Sequence, residues 1–233
     1  VGGGIAISVL VLPFASRWES GWVALGALSL LMVVISFLPF RRLREPAPPV
    51  LGRGGSLAPI ALAMLVYALY GAGYIGYMTF VTSGVTGSLT LFWLVLGVAT
   101  LFNGAVWGFV VGRFGGAAGI RLSLTVLVVA SLSPLLSVAP LLSAVLFGLS
   151  FLGVITAITD LFRERLPPGA WPRAMALSTA VFAVGQALGP SLTGVVGDLA
   201  GGVGGSLWAS TVLLAAALLA GLLPLGRGAR KSE

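Results

Sequence analysis

The chain has four tyrosines, and all of them fall in one uncharged stretch, residues 57–81: Tyr67, Tyr70, Tyr74 and Tyr77. Their spacings of three, four and three place the four phenols on one narrow face of a helix. Gly71, Gly73 and Gly76 lie between them and let other groups come close to the backbone. A phenol hydroxyl in hydrocarbon needs a partner or water. This face is therefore expected to look into protein or into a wet cavity. Asn103, the only asparagine, and Gln186 carry the same cost inside apolar stretches. Tyr67, Tyr70, Tyr74, Asn103 and Gln186 are thus the candidate substrate-binding residues, with Tyr70 and Tyr74 deepest. A bland use stands beside each. The tyrosines can form a packing seam, with Tyr77 in an outer aromatic belt, and the two amides can bond to neighbouring helices.

The chemistry this chain excludes is as informative. It has no histidine and no cysteine. That removes the commonest metal ligands, thiol nucleophiles, disulfides and histidine-assisted serine catalysis. No catalytic residue, metal or cofactor is expected. Asp160 and Glu164 fall near a predicted helix end, Asp198 near another, and Glu19, Glu45 and Glu233 in loops or the tail. None lies well inside a predicted span, where proton-coupled carriers usually hold a carboxylate. A coupling proton stays open as a partner, because its site can lie outside these residues. An intramembrane aspartyl enzyme would need Asp160 and Asp198 together, yet a whole span, about 30 Å of hydrocarbon, separates them.

The elements that position these residues follow from hydropathy. Of 233 residues, 58% are hydrophobic and 8% charged, against roughly 25% charged in a soluble domain. The chain reads as a polytopic membrane protein in a lipid bilayer. Full spans are predicted at 21–40, 57–81, 88–112, 122–138, 140–161, 174–196 and 206–225. The first apolar run, 1–16, is short of a crossing. The sequence is expected to begin part-way through a helix, as a fragment with N-terminal helices missing.

With the partial span leaving from the cytoplasm, 12 of the 13 basic residues fall on the cytoplasmic side and only Arg17 falls outside. Cytoplasmic-membrane residence with a cytoplasmic C-terminus follows. The net charge of +7 is then accounted for by orientation, and nucleic acid is not expected as a partner. Trp18, Trp22, Trp93 and Trp208 fall near predicted outer ends, and Trp107 and Trp171 near inner ends, as headgroup-level tryptophans do.

Residues 41–56, basic, then proline-rich, then glycine-rich, read as a cytoplasmic linker. It divides the spans into two and six. That division suggests a transporter built from two six-helix halves. The expected organisation is the last two helices of the first half (1–40), the linker (41–56), a six-helix C-terminal bundle (57–225) and a cytoplasmic tail (226–233).

At this point the residues resemble a family. The linker position, the tyrosine- and glycine-rich span and the segment GQALGPSLTG at 185–194 are similar to the C-terminal half of a major facilitator superfamily transporter. YALYGAGYIGYMTF at 67–80, FLGVITAITDLFRERLPP at 151–168 and RAMALSTAVFAVGQALGP at 173–190 resemble its YbfB-like branch, as does the opening VGGGIAISV. The resemblance implies an all-α transmembrane bundle and a permease that moves a small-molecule substrate. One departure stands out. The superfamily often carries G-x-x-x-D-R-x-G-R-R after the second helix of a half. Here GFVVGRFGG keeps Arg113 and Gly115 but has Gly112 at the acidic position. The charge lock that the motif usually supplies lacks its acidic member at that position in this half.

Glycine and proline complete the pattern. Gly185 and Gly189 are one turn apart and allow close helix packing, and Pro190 frees a carbonyl and bends the helix. The segment is a candidate hinge or a static contact. Gly104, Gly108 and Gly112 form a second ladder, read as structural. Against the transporter reading stands a non-transporting membrane scaffold or an inert truncated remnant.

Overall fold

The computed structural model describes residues 4–5, 18–40, 56–85, 87–136 and 140–225. Most of the partial span 1–16, nearly all of the linker and the tail 226–233 lie outside the described residues. So do Arg17, Arg41, Arg42, Arg44, Arg53, Arg227, Arg230 and Lys231.

The described residues fold into helices alone. They are α1 (Trp18–Phe40), α2 (Ala61–Gly84), α3 (Leu89–Leu135), α4 (Pro140–Ser150), α5 (Gly153–Arg165), α6 (Trp171–Leu199) and α7 (Val203–Leu222). In hydrocarbon the backbone must satisfy itself, which a helix does within one segment. Among the described residues, six helical stretches are long and apolar enough to cross a bilayer.

α3 accounts for two crossings. Its 47 residues would extend about 70 Å, twice the thickness of a bilayer core. Gly115, at φ 81° and ψ 168°, breaks it and folds the chain back on itself. Val111 then lies against Gly119 across the turn. The loop expected at 112–121 is therefore helix on both sides of a one-residue corner. Gly116 begins the second limb, and its N–H donates to Glu164 Oε1 at 2.9 Å. A carboxylate thus sits at a helix N-terminus, where the exposed N–H groups and the dipole favour negative charge.

A second difference concerns 140–161, expected as one span. It is broken at Phe151 and Leu152 into α4 and α5, about halfway along the crossing Pro140–Arg165. Elsewhere the helix ends are ordinary. Ser88 Oγ accepts from Leu91 N at the start of α3. Gly201 and Gly202, both at positive φ, make the turn from α6 to α7.

α2 packs against α6 and α7, and α3 against α4, α5 and α7. The core runs between them through Tyr70, Tyr77, Phe92, Phe147, Leu124 and Phe162, all fully buried. α2 meets α7 through Gly73, which faces Ser210 and Leu214, and through Gly76, which faces Ser210 and Thr193. By contrast, α1 is largely uncovered by other described residues, with Trp22, Leu30, Val33 and Phe37 all exposed.

Ala at 115 must adopt a left-handed backbone and crowd Glu164 Oε1, 2.9 Å from the added Cβ. Gly115→Ala is expected to lower stability by about 1–2 kcal/mol. Gly204→Ala, in open space within α7, should leave it unchanged or slightly higher. Thermal unfolding of both variants in detergent checks this; equal midpoints would remove the corner's special role.

Candidate functional site: a ring stack beside a broken helix

Three of the four tyrosines converge on a residue from another helix. Phe182 of α6 stacks on Tyr67 (centroids 4.6 Å), Tyr70 (5.7 Å) and Tyr74 (5.7 Å). The planes lie within 2–18° of parallel. Phe182 can lie this close because Gly71 has no side chain: a Cβ there would be 3.0 Å from the Phe182 ring. Sequence reasoning did not single out Phe182. Its signal was its place four residues before Gln186 and three before Gly185, on the same helix face.

Gln186 Nε2 donates to Tyr74 Oη at 2.6 Å. Tyr74, Phe182 and Gln186 are each half-buried, whereas Tyr67 and Tyr70 are buried. The polar, accessible part of the stack is thus the Tyr74–Gln186 pair. Gly185 and Gly189 bring α6 to this position. An added Cβ at either would collide with the carbonyl of Ala68 or of Ala72 on α2. α6 remains helical through Pro190.

The stack ends on the break between α4 and α5. Tyr70 Oη donates to the Phe151 carbonyl. Asn103 Nδ2 donates to the Leu149 carbonyl at 2.6 Å and reaches that of Gly148 at 3.5 Å. Trp107 Nε1 also donates to the Leu149 carbonyl, at 2.6 Å. Three carbonyls around the break thus receive side-chain donors from α2 and α3. Without them, each free carbonyl in hydrocarbon would cost about 1–3 kcal/mol. Phe151 also carries the ring contacts onward, from Tyr74 at 6.1 Å to Phe147 at 6.0 Å. Phe147 in turn stacks on Tyr77 at 4.4 Å.

Tyr77 lies inside the core rather than in a headgroup belt. Its hydroxyl pairs with Ser143 Oγ, and Ser143 Oγ lies 2.6 Å from the Ala130 carbonyl. Gly104, Gly108 and Gly112 are not brought against a helix: among the described residues nothing lies within 4 Å of a Cβ placed at any of them. Arg113 is exposed at the same end of the bundle as the Gly115 corner. There Thr156, Thr159, Asp160 and Arg163 line a cleft with Gly108 and Val111. Asp198 lies at the opposite end, in the last turn of α6. No cluster of potential metal ligands occurs among the described residues.

Apolar crossings packed around a buried aromatic seam make the described residues a polytopic α-helical membrane bundle. The chain belongs to the major facilitator superfamily, in the family described as "Uncharacterised MFS-type transporter YbfB", which it matches over residues 1–223. No curated protein and no solved structure matches it significantly.

Tyr70→Phe strands the Phe151 carbonyl and is expected to cost about 1 kcal/mol in detergent unfolding. Tyr74→Phe leaves a half-buried Gln186 that water can reach and should cost about half as much or less. The reverse order would show that the break does not depend on Tyr70.

Proposed function

We propose that this chain belongs to a secondary active transporter that moves a small solute across the membrane by alternating access. In this reading residues 57–225 form one of two six-helix lobes and residues 1–40 supply the last two helices of the other. Residues 41–56 join them on the cytoplasmic side, where the tail 226–233 also lies. The observation that carries the reading is the Tyr74–Gln186 pair, an uncharged polar patch left half-accessible in the middle of an apolar bundle.

Membership of a transporter family supports the same conclusion. Tyr67 and Tyr70 back the patch from below, and Asn103 acts through the break rather than at the patch itself. Gly185, Gly189 and Pro190 let α6 move against α2 as a packed unit. A coupling proton stays open as a partner in this proposal. Among the described carboxylates, Asp160, Glu164 and Asp198 all sit at bundle ends.

These residues hold no cysteine, so with any cysteine elsewhere in the gene product replaced by serine a single introduced thiol gives a direct test. In vesicles carrying the full-length gene product, Tyr74→Cys should react with a charged, membrane-impermeant maleimide from either face of the membrane. Val212→Cys, on the apolar outer face of α7, should react from neither. Labelling of Tyr74→Cys from one face only, or from none, would remove alternating access at this patch.

A further inference from the structure

We infer that the Tyr74–Phe182–Gln186 patch binds a neutral, planar aromatic solute that carries a hydrogen-bonding edge, of the kind found in phenols and indoles. This rests on the transporter reading above and names the class of solute.

Three features of the patch converge on it. The first is the parallel stack. Phe182 pairs with three tyrosines whose planes lie within 18° of its own, and Tyr74 lies within 2°. Tyr67 and Tyr70 are covered by protein, so the accessible members are Tyr74 and Phe182. A flat guest adds one more layer to an order already set, and offset stacking favours it over a saturated ring of the same size.

The second is the hydrogen-bonding inventory. Gln186 Nε2 donates to Tyr74 Oη. The phenol then still has its proton to donate, and Gln186 Oε1 still has its lone pairs to accept. One donor and one acceptor stand side by side at the edge of the ring stack. A guest with a hydroxyl or ring N–H beside its π-system meets both.

The third is charge. α2 has no ionisable group besides its tyrosines, and the α6 chain from Met175 to Gly197 has none. On α5 the nearest charged residue to Phe151 is Asp160, nine residues away, which is about 13 Å along a helix. From the described residues, a carboxylate or ammonium bound here would lose its water without gaining a counter-ion. A delocalised cation is the competitor, because ring faces attract positive charge.

The test uses purified full-length protein in detergent and three probes: 2-naphthol, its saturated analogue decahydro-2-naphthol, and N-methylquinolinium. Equilibrium binding should favour 2-naphthol over each of the others by about tenfold. Phe182→Leu keeps an apolar side chain and removes the ring. It should weaken 2-naphthol by about fivefold and change decahydro-2-naphthol by less than about twofold. Gln186→Leu, which spares the stack, should weaken both alcohols alike. Equal binding of the two alcohols, tighter binding of the cation, or no effect of Phe182→Leu in a variant that melts like the parent would each overturn the inference. Two-sided labelling of Tyr74→Cys with no aromatic preference sinks this inference alone. Failure of that labelling sinks the reading beneath it.

Discussion

A helix broken in the middle of a membrane must have its carbonyls met from outside the helix. Water is absent there, and an unpaired carbonyl is expensive. The crossing made by α4 and α5 is interrupted at Phe151 and Leu152, and the donors come from three side chains on two other helices: Tyr70, Asn103 and Trp107. Much of the interior follows from that requirement. Trp107 needs room beside the break, and Gly153 supplies it: a Cβ at Gly153 would lie 2.6–2.7 Å from the indole. Tyr70 must reach across from α2, so the phenol face of α2 turns toward α4 and α5. Phe151 is thereby held where it extends the ring array toward Phe147 and Tyr77.

The same α2 face does two jobs. Tyr70 and Tyr77 spend their hydroxyls on the fold, at the Phe151 carbonyl and at Ser143. Tyr74 shares its hydroxyl with Gln186, half-accessible on α6. The division follows from where neighbouring helices lie. α6 approaches α2 closely because Gly185 and Gly189 admit the Ala68 and Ala72 carbonyls. That approach lays Phe182 over Gly71 and brings Gln186 to Tyr74. A polar pair at the edge of a rigid ring stack is pre-organised, which lowers the cost of ordering it around a guest.

Charges gather at the end of the bundle where α3 turns and α5 meets α6. Gly112 takes the place of the motif's acidic residue, but Glu164 brings a carboxylate to the same corner from α5 and caps Gly116. Nearby, Arg121 donates through Nε to the Gly221 carbonyl at 2.8 Å and so caps the last turn of α7. Arg163 lies 6.0 Å from the centroid of the Trp171 ring. Helix ends, rather than pairs of opposite charges, take up much of the charge here.

The sequence alone determined that the chain is an all-helical membrane bundle, and nearly where its crossings lie. Hydropathy and basic loops are local properties, and the bilayer imposes them on any spanning segment. It determined that the tyrosines share a face, and it marked Tyr74 and Gln186 as groups needing partners. It did not determine that those two are each other's partner, since residues 112 positions apart meet only through tertiary packing. The corner at Gly115 was hidden because glycine and arginine read as a loop, while the helix continues on both sides of a single left-handed residue. The break at Phe151 was hidden too, because FLGV carries no proline and is as apolar as the helices around it. Only tertiary structure, by bringing donors to the freed carbonyls, made that break affordable, and with it decided which phenols build the fold and which one stays accessible.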